Sequence, residues 1–161
     1  MKPSLYLETT ILSFLVGGVS PVLVTAAHQA ATRQWWQERR NDYRLYVSSV
    51  VDEEIGRGTG VWLRERQQLI ADLPRLAVTD EVLQLADELF AHLRLPPGAW
   101  FDALHLAVSC HHEMDYLLTW NLKHIASGHV RRALTSFHDQ RGIAVPTICT
   151  PDELSDWEDV V

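Results

Sequence analysis

The sequence predicts an α/β fold in which a mainly parallel sheet of about five strands is covered by helices on both faces. Short apolar or β-prone runs alternate with longer helix-forming stretches along the whole chain. Most of these runs are followed by a capping or helix-starting residue, so strand leads into helix rather than into a hairpin turn. The stretches between them also give the length that a parallel crossover needs.

Leu5-Tyr6-Leu7 reads as a short buried strand that runs into a helix at Glu8-Thr9-Thr10, and Gly17-Gly18 ends that helix. An amphipathic helix is expected from about Ser20 to Arg40, carrying Trp35 and Trp36, with Asn41-Asp42 as its breaker. Tyr43 to Val47 is the second strand, and Ser48-Ser49 starts a helix through Glu53, Glu54 and Ile55 that stops at Gly56 and Gly58. A helix from about Val61 to Leu73 and a strand from Arg75 to Val78 follow.

After Thr79 the helical signal is clearest. Thr79 caps, Asp80 and Glu81 suit the positive end of the helix dipole, and Val82, Leu85, Ala86, Leu89, Phe90 and Leu93 form one stripe. Pro96-Pro97-Gly98 ends this helix, and the next runs from about Ala99 to Glu113. Tyr116 to Thr119 is the fourth strand, followed by Trp120-Asn121 and a helical region through His138. Pro146 to Cys149 is the last strand, and Thr150-Pro151-Asp152-Glu153 has the residues of a capped helix start.

At 161 residues the chain fits one domain, 1–161, and its 47% hydrophobic content supports a substantial core. The formal charge of −7 gives no general attraction for nucleic acid, so any such contact must be local. Basic residues cluster at Arg33 to Arg44, at Arg57 to Arg66 and at Lys123 to Arg132. Cys110 and Cys149 lack metal-ribbon or C-x-x-C spacing and read as reduced thiols. Glu8 interrupts the apolar N-terminal stretch, and no run approaches the roughly 20 apolar residues of a membrane span, so a soluble, cytoplasmic protein is expected.

Glu8, Glu54 and Asp102 each sit where an apolar run meets a turn or a helix start, and such junctions gather at one edge of a parallel sheet. Asn121, directly after the fourth strand, should join them. Oxygen donors of this kind suit Mg²⁺ or Mn²⁺ rather than zinc. Glu8, between Leu7 and Ile11, faces desolvation unless a cation or hydrogen-bond donors meet it. His105 shares the helix face of Asp102 and can line the site, although a hydrogen-bonded core role is favoured. His112-Glu113 has no histidine at 116, so the metalloprotease signature fails. Gly56-Arg57-Gly58-Thr59-Gly60 has neither phosphate-loop lysine nor dinucleotide spacing, and no G-x-S-x-G elbow occurs.

Leu5-Tyr6-Leu7-Glu8-Thr9-Thr10, Ser49-Val50-Val51-Asp52-Glu53-Glu54-Ile55, Asp102-Ala103-Leu104-His105-Leu106-Ala107 and Leu117-Leu118-Thr119-Trp120-Asn121 resemble, in order, the four motifs of PIN-domain ribonucleases. The resemblance spans nearly the whole chain and points towards bacterial VapC-type toxins of toxin–antitoxin pairs. It implies a three-layer α/β/α sandwich and a Mg²⁺ or Mn²⁺ site held by Glu8, Glu54, Asp102 and Asn121. It further implies hydrolysis of single-stranded RNA by a metal-activated water, an antitoxin partner and pairing as a homodimer. Glu8 and Asn121 both stand where the family commonly has aspartate. Glu8 keeps the charge and Asn121 removes one, so one resident ion is expected, and a second only with substrate phosphate.

Thr9 and Thr119 are candidates to hydrogen-bond the acids or a phosphate, and Arg57, Lys123 and His124 to hold the RNA backbone. Trp36, Trp100 and Trp120 are stacking candidates for which buried packing is favoured. Two other readings use the same residues: a catalytically impaired PIN-fold scaffold that binds RNA or protein, and a metal-dependent hydrolase of small phosphate esters.

Overall fold

The computed structural model describes residues 1–58 and 60–154. Its strands are β1 (Ser4–Leu7), β2 (Arg44–Ser48), β3 (Arg75–Leu76), β4 (Tyr116–Leu118) and β5 (Thr147–Cys149). They form one all-parallel sheet in the order β3-β2-β1-β4-β5. The described helices are α1 (Thr9–Leu15), α2 (Leu23–Glu38), α3 (Ser49–Arg57), α4 (Leu63–Ile70), α5 (Asp80–His92), α6 (Trp100–His111) and α7 (Gly128–Arg141). The result is the expected α/β architecture, a parallel sheet between layers of helix.

Parallel strands buried on both faces should lack an apolar–polar alternation. β1 fits this rule: Ser4, Leu5, Tyr6 and Leu7 are all buried, as are Leu117 and Leu118 in the neighbouring β4. Helix starts follow the capping residues: Ser48 accepts from Val50 N at 3.2 Å, Thr79 from Val82 N at 3.4 Å and Ser127 from Val130 N at 3.2 Å. Gly142, in the left-handed region at φ +68°, closes α7. α5 buries Val82, Leu85, Ala86 and Leu89 of its stripe against the core, largely against α6.

Some boundaries move for local reasons. α2 begins at Leu23 rather than Ser20, because Pro21 disfavours helical backbone at Ser20. Buried Gln29 instead holds the loop, accepting from Ser20 N at 2.8 Å and donating to Gly18 O at 3.2 Å. α4 stops at Ile70, where Arg75 Nη1 takes up the carbonyls of Ile70, Ala71 and Leu73. The expected helix after Asn121 is a turn, and α7 starts only at Gly128. The capped start at Thr150 becomes a 3₁₀ turn, Pro151–Leu154, with Glu153 Oε2 accepting from Thr150 N at 2.8 Å.

Cys110 and Cys149 are unpaired and buried, and burial pushes each thiol up to about 12, which leaves both inert. Among the described residues, no helix is long and apolar enough to cross a membrane.

The strand order fixes where a site can form. From β1 the chain runs outward through β2 and β3, then returns to lay β4 on the other side of β1. The connections after β1 and β4 therefore diverge, and a crevice opens at the carboxyl ends of those two strands. Glu8 follows β1 and Thr119-Trp120-Asn121 follows β4, so both sequences reach this crevice.

Candidate metal centre

Glu8 leaves β1 as its backbone N donates to Leu118 O at 3.1 Å, and its side chain then caps α1. The carboxylate is only 3% exposed. Three donors end on its Oε2: the hydroxyl of Thr10, Thr10 N at 3.1 Å and Thr119 Oγ1 at 2.7 Å. Oε1 is left facing His105 Nε2 at 4.0 Å. This meets the desolvation problem posed by a carboxylate in an apolar run, and it leaves one oxygen aimed at a cation.

Glu54 reaches the same point from α3. Its Oε1 accepts from Thr9 Oγ1 at 2.6 Å and lies 2.5 Å from His105 Nε2. One ligand atom each from Glu8, Glu54 and His105 can be chosen so that all lie within 4.8 Å of one another. Thr9 and Thr119 therefore hold the acids, and Thr119 is fully buried, which takes it away from any RNA backbone.

Asp102, in the first turn of α6, stands beside this cluster rather than in it. Its Oδ1 accepts from Asn121 Nδ2 at 2.9 Å, and its Oδ2 pairs with His124 Nδ1 at 2.8 Å. Asn121 Oδ1 in turn accepts from His124 N at 2.9 Å, which makes the turn that replaces the expected helix. Both ends of the Asn121 amide are thus engaged within the chain. The two groups are joined through Thr119, whose Oγ1 accepts from Asn121 N at 2.9 Å while donating to Glu8.

Of the other expected contacts, Arg57 pairs with Glu53 at 2.6 Å, and its guanidinium lies 4.4 Å from the centre of the Phe101 ring. Lys123 is exposed beside the site, and His124 is tied to Asp102. Trp120 is buried, stacked on His28 with ring centres 3.9 Å apart and donating to Thr32 at 2.7 Å. Trp100 packs edge-on against Phe90, and Arg40 lies over Trp36.

His105, for which the sequence favours a hydrogen-bonded core role over lining the site, does both. It is fully buried, and Tyr6 OH meets its Nδ1 at 2.8 Å while also bonding Ser48 Oγ at 2.7 Å. Its spacing from Asp102 was the only sequence signal. Tyr6 and Ser48 carried none.

Burial raises the pKa of Glu8 against the opposing pull of His105 and the threonines. Burial also disfavours charge on Glu54, but the hydrogen bond and charge of His105, with Thr9 and Arg57, outweigh it and lower that carboxyl. For His105 burial alone would lower the pKa; the bond to Glu54 and the charges of Glu8, Glu54 and Asp102 reverse this and raise it. In this cluster the flanking acids favour the protonated imidazole of His105. Two carboxylates and an imidazole, with Glu8 Oε1 turned towards His105, fit a divalent cation that would take that proton's place.

The stability that His105 contributes is fully present below its unfolded pKa of about 6.5 and is lost as pH rises through its higher folded value. Glu8, also raised, acts in the same direction at lower pH, while Glu54, lowered, contributes above its unfolded value and loses that as pH falls through the folded one. Metal-free protein should thus melt at lower temperature as pH rises past the folded pKa of His105. Added Mn²⁺ should restore the loss, so the melting temperatures with and without Mn²⁺ should separate as pH rises. A gap independent of pH would remove His105 from the ion's competition.

No family model matches this chain, and no curated protein is significantly similar to it.

Proposed function

We propose that the chain is a metal-dependent endoribonuclease of the PIN-domain, VapC-like kind, which hydrolyses single-stranded RNA. The observation that carries this reading is the convergence of Glu8, Glu54 and His105 at the crevice between β1 and β4, with Asp102 linked to it through Asn121 and Thr119. Glu8, Glu54 and His105 would hold the ion, either Mg²⁺ or Mn²⁺ on the family's precedent. Such an ion, when bound, neutralises phosphate charge and acidifies water.

The chain's own residues supply the rest. Thr10 and Thr119 keep the Glu8 carboxylate in one orientation, and Thr9 does so for Glu54. Asp102 orients His124, whose side chain is 22% exposed, so its Nε2 can meet a phosphate or hand a proton to the leaving oxygen. Lys123, exposed next to it, adds positive charge for the RNA backbone on a chain of net charge −7.

Incubating the protein with single-stranded RNA and Mn²⁺ or Mg²⁺, beside Asp102→Asn, tests this reading. Wild type should cleave, and the variant should be slower by about 100-fold or more, in line with the loss of an oriented acid–base group. Equal cleavage by both proteins, or none by either, contradicts it.

One observation favours a second reading, a PIN-fold scaffold that binds without turnover. Both oxygens of Asp102 and both ends of the Asn121 amide are satisfied within the chain. Metal binding without cleavage would support it. A toxin role with an antitoxin partner is tested by expression in bacteria: growth should arrest, and the adjacent small gene product should relieve it.

A further inference from the structure

We infer that His105 is a ligand of the ion and that its nitrogen, kept in the right tautomer by Tyr6, makes the centre prefer Mn²⁺ to Mg²⁺. The inference rests on the metal-site reading above and adds to it a preference between two ions. His105 is fully buried, yet its Nε2 does not end on a backbone carbonyl; it points between Glu54 Oε1 at 2.5 Å and Glu8 Oε1 at 4.0 Å. By contrast, Nε2 of His92 and of His112 each meets a carbonyl oxygen, of Ala133 and Ala77 respectively.

The far side of the ring fits the same role. An imidazole that gives its Nε2 lone pair to an ion must carry its proton on Nδ1, and that N–H needs an acceptor. Tyr6 OH lies 2.8 Å from Nδ1 and 2.7 Å from Ser48 Oγ, with all three side chains buried. The phenol oxygen can accept from Nδ1 while its own proton turns to Ser48 Oγ. Ser48 Oγ also accepts from Val50 N, which anchors the chain of hydrogen bonds to the start of α3.

A nitrogen in the ligand set changes which ion is favoured. Mg²⁺ demands oxygen donors in near-ideal octahedral geometry and sheds water reluctantly, whereas first-row transition ions accept imidazole readily. Mn²⁺ shares the oxygen preference of Mg²⁺ and tolerates the nitrogen, so it suits two carboxylates and one histidine better than Mg²⁺ does.

Full-length protein with one equivalent of Mn²⁺, read by pulsed electron paramagnetic resonance, tests this without an activity assay. Wild type should show nitrogen coupling to the bound ion, and His105→Ala should lose it. Competition with Mg²⁺ should show Mn²⁺ bound at least about tenfold more tightly. Tyr6→Phe keeps the ring volume and should weaken Mn²⁺ binding by about 10–100-fold, as losing the partner of a ligating histidine does, with an unchanged far-ultraviolet circular dichroism spectrum. Mn²⁺ bound with no nitrogen coupling, or coupling that survives His105→Ala, overturns the inference and leaves the metal site standing. No Mn²⁺ bound to wild type at all overturns the metal site itself. If His105→Ala does not fold, wild type and Tyr6→Phe decide.

Discussion

Replacing Glu8 by glutamine should abolish stabilisation by Mn²⁺ and reduce RNA cleavage by more than about 100-fold, since loss of a mere partner of a ligand already costs about 10–100-fold in affinity or activity. Glu8 is the pivot of the site. Its carboxylate is buried and held in place, with Oε2 bonded by Thr10 and Thr119 and Oε1 facing His105. The amide keeps the size and one acceptor oxygen, but it has no negative charge to offer a cation. It also relieves a buried charge whose pKa burial has pushed up. Metal-free Glu8→Gln should therefore melt no lower than wild type, which separates loss of the centre from loss of the fold. A variant that still gains melting temperature with Mn²⁺ would move the ion away from Glu8.

Leu7→Ala should destabilise the chain by about 2–5 kcal/mol, the range for truncating a buried leucine, measured by denaturant unfolding. Leu7 is fully buried in β1, the strand flanked by β2 and β4 at the middle of the sheet. Leu7 is the last residue of β1 before Glu8, so a shift of that strand end should lower metal affinity along with stability. Leu83→Ala on α5 is the counterpart: Leu83 is 41% exposed, and its loss should stay within about 0.5 kcal/mol. Equal effects of the two would contradict the described core.

Much of the scaffold was legible because local signals agree with tertiary demands. The Leu5–Leu7 run is apolar without alternation because both faces of β1 are covered, and Thr79 with its acidic first turn opens a helix whose stripe meets α6. The charge of Glu8 in that apolar setting could be read as needing a partner. The partner itself could not be read. Ala103 through Cys110 are all buried, so α6 has no polar face to show which of its side chains points at the acids, and His105 looks the same in sequence as a core histidine. Asp102 and Asn121 lie beside the cluster, and their bonds to each other and to His124 depend on a turn that side-chain hydrogen bonds impose against helical periodicity. That competition is settled by geometry that no spacing rule encodes.

Glu8, Glu54 and His105 are placed to form one divalent-cation centre. Anomalous diffraction from crystals of the protein soaked in Mn²⁺ would locate the ion. The expected result is a single strong peak between Glu8 Oε1, Glu54 and His105 Nε2, at the carboxyl ends of β1 and β4. A peak held instead by Asp102 and His124, or no peak in that crevice, would contradict it.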